Sequence, residues 1–367
     1  MRYKSALANL AGLLSQVGPC ESPRLLSDDA WMRVLRLANE HLLGPLLHER
    51  LTDVLSDMRV PEDVLAYLAM QHRLNRDRNA VLRGQCQEIA EAFADQSIDI
   101  VFLKGAITLF EGNGPVRETR MMRDIDILVP PAASDTAIRI LAELDYDILR
   151  KSPPGDHAVA ELVRPGAAGA VDLHTELIDA HYLLPAETVR RRRMTIVKDG
   201  LHINVPAPSD RLLHHLLHAQ IHHTGQFYRH QVRLDQVHDF QDIAARHGNA
   251  VDWLRVAWTM ESFRLTPALH SYALIAGRFF GMSWPLPERP RRNAVLHARL
   301  TRSTLASPGL KRGMVPFGNL RRAFAWHRMC ALYGRPGSTL VKRLRHLLQY
   351  VLKKTPGQVV IQLFRYE

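Results

Sequence analysis

Residues 124–129 read Asp-Ile-Asp-Ile-Leu-Val and are closed by Pro130-Pro131. The β-branched and apolar character of this run predicts a short strand. Its period of two puts Asp124 and Asp126 on one face and Ile125, Ile127 and Val129 on the other. Two carboxylates held about 4 Å apart repel by on the order of 4 kcal/mol at an effective dielectric of about 20. Something positive must offset that cost, either a hard divalent cation or the flanking Arg120 and Arg123. Mg²⁺ suits a carboxylate pair because it keeps several waters and recruits substrate phosphates to complete its octahedron. Taken alone, an Asp-x-Asp pair is equally the acidic solvent face of an edge strand.

Two neighbouring segments add weight to the first reading. Ile98-Asp99-Ile100-Val101-Phe102-Leu103 predicts a strand that runs into Lys104-Gly105. Residues 170–177, Ala-Val-Asp-Leu-His-Thr-Glu-Leu, alternate strictly and predict a strand with Asp172, His174 and Glu176 on one face. Two carboxylates from one strand and a third from a neighbour form the geometry of a two-metal phosphoryl-transfer site.

Leu103-Lys104-Gly105, the block from Arg120 through Asp124-Ile125-Asp126 to Leu128-Val129, and Val171-Asp172-Leu173-His174 resemble the bacterial family of uncharacterised nucleotidyltransferases with an LKG…DiDlLV…(D/E)LHW signature. That family is a branch of the polymerase-β-like nucleotidyltransferase superfamily. The resemblance spans most of residues 30–260, including an N-terminal helical region around Asn39-Glu40-His41 and a C-terminal one from Leu212 to Trp253. It implies an α/β (α+β) fold in which a small mixed sheet is flanked by N- and C-terminal helical regions. It also implies nucleotidyl transfer from an NTP, with Asp124, Asp126 and Asp172 holding Mg²⁺ or Mn²⁺. Lys104, Gly105, Arg120, Arg123 and His174 would then contact the substrate. The helix after Gly105 would offer amides to a phosphate, and Asp172 would activate an attacking hydroxyl. The sequence departs from the superfamily pattern at Lys104-Gly105, where Gly-Ser is usual, and from the branch at Thr175, where Trp is usual. The acceptor is left open among a sugar phosphate, a small antibiotic-like hydroxyl compound, a peptide and an RNA end, and the alternative to an enzyme is a non-catalytic nucleotide- or nucleic-acid-binding module of the same fold.

A length of 367 residues predicts about two domains at ~150 residues each. The regions read as 1–95 (helical), 96–206 (nucleotidyltransferase core), 207–265 (histidine-rich helical) and 266–367 (basic helical). The net charge of +11 favours polyanions, whether phosphorylated substrates, nucleic acid or an anionic membrane surface. Three distant cysteines build no disulfide framework or zinc ribbon, so a reducing cytoplasm is expected. No apolar run reaches the length of a membrane span. The leucines at 10, 13 and 14 predict an amphipathic helix rather than a leader.

Elsewhere the pattern is helical. A stripe from Trp31 to Leu43, capped by Asp28 or Asp29, should end at Gly44-Pro45. A long helix should run from Glu62 to about Ala94 with Val64, Leu65, Leu68, Leu74, Val81, Leu82, Ile89 and Phe93 inward. Arg73, Arg76, Arg78 and Arg83 on it are read as a solvated face. A turn is expected at Gly112-Asn113-Gly114-Pro115, with Arg117 approaching the aspartates. Ser134 should cap a helix reaching Leu144. His157 is read as a surface residue and Arg190–Arg193 as a solvated helix end. In the histidine-rich segment, Leu212, Leu213, Leu216, Leu217 and Ile221 make the buried stripe, opposite His214, His215, His218 and His222. Such a stripe is a wall of a cleft or, as the alternative, a metal phosphohydrolase site with His238, Asp239 and Asp242. Residues 340–354 are amphipathic and basic, a pattern shared by packing helices, membrane-surface helices and nucleic-acid arms.

Overall fold

A computed structural model describes residues 2–15, 26–54, 58–111, 118–153, 155–222, 224–334 and 340–352. The turn expected at 112–115, Arg117, His223, Lys353 and Lys354 lie outside the described residues. The chain divides into two compact units, one of residues 1–11, 15–17 and 215–367, the other of 12–14 and 18–214.

The larger unit holds the mixed sheet. Its strands are β1 (Val101–Phe102), β2 (Asp124–Leu128), β3 (Asp147–Lys151), β4 (Ala158–Val163) and β5 (Ala170–His174), in the order β1-β2-β5-β4-β3. β2 and β5 are parallel, and the other pairings are antiparallel. A hairpin of β6 (Met194–Lys198) and β7 (Leu201–Val205) forms a second sheet. Ile125, Ile127, Val171 and Leu173 point to one face of the five-stranded sheet, as the alternation predicts. There they pack with Leu82, Cys86, Ile89 and Phe93 of the long helix Glu62–Asp95, and with Ile140 and Leu141 of the helix Ser134–Glu143. The burial of these branched side chains fixes the register, because a one-residue slip would turn the aspartates into the core.

Several boundaries differ from the sequence reading. β1 is only two residues long, and β5 ends at His174, after which the Thr175 and Glu176 amides both bond to the His157 carbonyl. The Glu176 carboxylate accepts the Ala186 amide at 3.1 Å, at the start of the helix Ala186–Arg191. Leu74 and Val81 of the long helix are exposed, while Asn75, Asn79 and Gln85 are buried. Gly44-Pro45 does not end structure; it opens the helix Gly44–Glu49, where a proline in the first turn loses no hydrogen bond. Ser27 precedes the helix Asp28–Glu40, so both aspartates lie inside its first turn and complement its dipole. The helix start at Ser134 is preceded by a 3₁₀ turn, Pro131–Ala133, whose Pro131 carbonyl accepts the Ser134 hydroxyl at 2.7 Å.

The other unit is helical among its described residues. The helices Leu234–His247, Trp253–Ser262, Thr266–Phe280, Arg292–Leu305, Pro308–Ala323, Trp326–Tyr333 and Leu340–Leu352 follow in order. Pro267 starts the Thr266–Phe280 helix and Gly281 ends it in the left-handed region (φ +72°). The helix Pro208–Gln220 straddles the division between the units. Its leucines are buried as predicted, but His214 is buried too, as is His222 just beyond the helix, so the histidines do not form an exposed stripe. No helix among the described residues is long and apolar enough to cross a membrane.

Candidate functional site

The in-register pairing of β2 with β5 builds the site. Asp126 stands opposite Asp172, Asp124 opposite Ala170 and Leu128 opposite His174. Because the strands are parallel and both alternate, Asp124, Asp126, Asp172 and His174 share the sheet face turned away from the core. Asp126 is buried there, Asp172 half-buried and Asp124 exposed.

Lys104 enters from the end of β1. Leu103 is tied to β2 by its amide, which donates to the Asp126 carbonyl at 2.9 Å. Lys104 then takes a left-handed backbone (φ +47°), uncommon for a non-glycine residue. Its ammonium donates to Asp126 Oδ1 at 2.5 Å, and His174 Nε2 donates to the same oxygen at 3.0 Å. Gly105 is a close-approach position, since a Cβ there would collide with the Arg120 guanidinium and the Met122 thioether. Arg120 is thus brought to the Lys104-Gly105 turn, whereas Arg123 is exposed. The helix after Lys104 is only five residues long, Lys104–Thr108.

The carboxyls differ electrostatically. Burial alone would raise the Asp126 pKa, but the Lys104 charge and the His174 hydrogen bond outweigh it and hold Asp126 well below the usual carboxylate range. Burial and the charges of Asp126 and Asp124 push Asp172 up to about 6. Asp124 reaches solvent, yet crowding of its carboxyl by protein, together with Asp126, raises its pKa against the pull of Lys104 and Arg120. Burial lowers the Lys104 pKa, but Asp126 more than reverses this and the ammonium stays charged. Burial holds His174 below its ordinary value, so the imidazole is neutral.

A buried polar row on the long helix holds the approaches to both strands. Asn75 Nδ2 donates to the Glu118 and Arg120 carbonyls at 2.6 and 3.1 Å, and Asn79 Nδ2 donates to the Arg120 carbonyl at 2.9 Å. Gln85 Oε1 accepts the Ala168 and Gly169 amides at 2.9 and 3.1 Å, just before β5, and its Nε2 bonds to the Tyr146 hydroxyl at 2.7 Å. Sequence reading passed over these residues, although polar residues at i and i+4 on the inward face of a helix are a signal. His157 is half-buried rather than on the surface: its ring lies 5.4 Å from that of His174, and its Nδ1 is 2.7 Å from both Asp156 Oδ1 and Asp179 Oδ1. Burial lowers its pKa, but the two aspartates more than compensate and the net shift is upward.

The residues fit a cation. Ligand atoms of Asp126, Asp172 and His174 lie within 4.8 Å of one another, and Asp124 flanks this group on the same face. With Nε2 donating to Asp126, neutral His174 keeps its lone pair on Nδ1, which is buried and makes no hydrogen bond among the described residues. The carboxylates suit Mg²⁺ or Mn²⁺, with waters and phosphate oxygens completing the shell.

Several of the other arginines singled out in the sequence have local partners. Arg190 and Arg191 pair with Glu187, Arg192 with Asp210 at 2.8 Å and Arg193 with Asp99. Arg78 donates to the Ala168 carbonyl at 2.5 Å and Arg83 pairs with Asp199. In the histidine-rich segment, the His215 Nε2 lies 2.7 Å from the Gln236 carbonyl oxygen and His238 packs on Phe280.

A family model described as "Uncharacterised nucleotidyltransferase" matches residues 27–281, which include the whole sheet and both of its flanks. No curated protein matches the chain. Among solved structures, an antigenic nucleotidyltransferase-like protein from Paracoccidioides brasiliensis is similar at 17% identity. The match covers 51% of this chain and 91% of that one, with a TM-score of 0.31.

Proposed function

The chain belongs to the uncharacterised nucleotidyltransferase family, and from that premise we propose that it moves a nucleoside monophosphate from an NTP to a hydroxyl or phosphate acceptor in a Mg²⁺-dependent reaction. The observation that carries the proposal is the register of Asp126 with Asp172 on parallel strands, with Asp124 beside them and Lys104 seated on Asp126. Asp126 and Asp172 would hold the metal, with Asp124 next to them and His174 orienting Asp126 through its Nε2–H. When bound, the ion would supply positive charge that stabilises the transfer.

The remaining work falls to the chain itself. Lys104 and Arg120 offset phosphate charge, and Arg123, exposed at the entrance to β2, attracts the triphosphate. Gly105 lets the guanidinium and a phosphate approach the backbone closely. An acceptor oxygen attacks the α-phosphorus, the bond to the β-phosphate oxygen breaks, and pyrophosphate leaves. The acceptor proton passes to Asp172. Most of the rate comes from positioning and preorganised charge, as in other phosphoryl transfers.

Titration of an NTP into the protein with Mg²⁺ and again with a chelator tests this, alongside pyrophosphate release with sugar phosphates, hydroxylated small molecules, peptides and RNA ends as acceptors. Metal-dependent NTP binding that is lost in Asp172→Ala is the expected result. Equal binding with and without metal, or binding that survives Asp172→Ala, overturns the reading.

A further inference from the structure

In the unit containing residues 215–367, the turns at 224–233 are clamped against two helices. Arg229 Nε donates to Asn319 Oδ1 at 2.9 Å, Gln231 Nε2 to the Lys311 carbonyl at 3.0 Å, and Arg321 Nη1 to His230 Nε2 at 2.8 Å. The Thr304 hydroxyl donates to the His230 carbonyl. Gly318 packs so closely on Arg229 that a Cβ would meet the Arg229 backbone at 2.7 Å. These contacts fix one wall of a cavity of about 540 Å³, within the ~300–1,000 Å³ typical of small-molecule sites.

The cavity has a definite chemistry. Arg229, only 5% exposed, contributes to its lining with Arg233, Lys311 and His218, and no carboxylate lines it among the described residues. Arg233 is braced by Asp235 at 2.6 Å, outside the lining. A guanidinium fork beside an ammonium matches the oxygens of a phosphate. Gln226 and Gln236 also line the space. A primary amide both donates to and accepts from hydroxyls, so these side chains suit a hydroxylated ligand.

We propose that this cavity binds a small phosphate monoester carried on a hydroxylated skeleton, with the phosphate at Arg229 and Lys311 and hydroxyls hydrogen-bonded to the amides of Gln226 and Gln236. The proposal takes no residue from the carboxylate site and does not depend on nucleotidyl transfer.

The test is calorimetry on the full chain in the presence of a chelator, which removes metal-bridged phosphate binding at the carboxylates. The probes are a hexose monophosphate, inorganic phosphate, the unphosphorylated hexose and a short single-stranded RNA. Saturable binding of the hexose monophosphate is expected, about tenfold or more tighter than inorganic phosphate, with no binding of the free hexose. Lys311→Gln should weaken both phosphorylated probes about tenfold. Gln236→Met should lower hexose monophosphate affinity to that of inorganic phosphate and leave inorganic phosphate unchanged. Should Arg229→Gln fail to fold, these two variants decide. No saturable binding, unchanged affinity in Lys311→Gln, equal affinity for inorganic phosphate, or displacement of the sugar phosphate by RNA at lower concentration each overturns the proposal.

Discussion

Asp126 and Asp172 stand in register across β2 and β5, and the fold drives their acidities in opposite directions. Lys104 and His174 donate to one of them and hold it ionised, while burial and the neighbouring charges push the other up to about 6. One carboxylate is therefore charged throughout, and the other is within reach of protonation near neutral pH, an asymmetry that suits the proposed reaction.

Asp172→Asn should therefore stabilise the metal-free protein at pH 8. Its folded pKa, about 6, lies above the ordinary 3.8, so the native state binds the extra proton. Stability from this group is full below pH 3.8 and is lost as pH rises through about 6. With discount for screening, the gain should be about 1–2 kcal/mol at pH 8 and near zero at pH 4. Urea denaturation of both proteins at the two pH values checks it, and a less stable variant at pH 8 would contradict the electrostatics described.

Asp126→Asn should do the opposite. In the sequence it reads as one of two mutually repelling charges. In the structure it is the buried partner of the Lys104 ammonium, so its loss strands a positive charge. Breaking such a pair costs about 3 kcal/mol, and Lys104→Met added to Asp126→Asn should recover part of it. Equal denaturation midpoints for wild type and Asp126→Asn would rule this out.

Gly105→Ala should leave the denaturation midpoint nearly unchanged, because the atoms it strikes are the movable ends of Arg120 and Met122. Displacing the guanidinium should weaken Mg²⁺-NTP binding about tenfold. Titration of NTP into the folded variant is the measurement, and wild-type affinity would remove Arg120 from the phosphate site.

A different acid response is expected in the 215–367 unit. Burial and, after it, neighbouring positive charge depress His230 to about 4, and burial likewise takes His297 and His327 to about 3. Each stays neutral when folded while its unfolded form gains a proton below the ordinary 6.5, so stability is full above pH 6.5 and falls toward pH 3–4. Thermal midpoints measured from pH 8 to pH 5 should drop, and the drop should be shallower in His297→Gln. A parallel profile in that variant would show that this histidine does not titrate on unfolding.

The sheet was legible where alternation and charge agreed. Asp124 to Leu128 and the aspartate at 172 lie on the strands their patterns predict. Lys104, beside Gly105, was legible as a site residue only through its place between two strands. The left-handed turn that seats it on Asp126 was not, because nothing local favours a lysine there. His157 misled because its burial depends on Asp179 and the His174 ring, which are remote in sequence. Leu74 and Val81 point outward and Asn75 and Asn79 inward because the long helix must grip the carbonyl of Arg120, a demand that hydrophobic periodicity does not register.

Parallel pairing of β2 with β5 also imposes an order of events as the chain forms. Lys104 and Asp126 are joined by a short connection, so this balanced couple can assemble first. Asp172 arrives only after the helix Ser134–Glu143 and the β3–β4 hairpin have been laid down, through a long loop whose closure is entropically costly. The repulsion of Asp172 by Asp124 and Asp126 is thus absent from the early chain and is met when β5 docks. A proton or a cation that neutralises Asp172 at that moment would lower the electrostatic cost of closing the sheet.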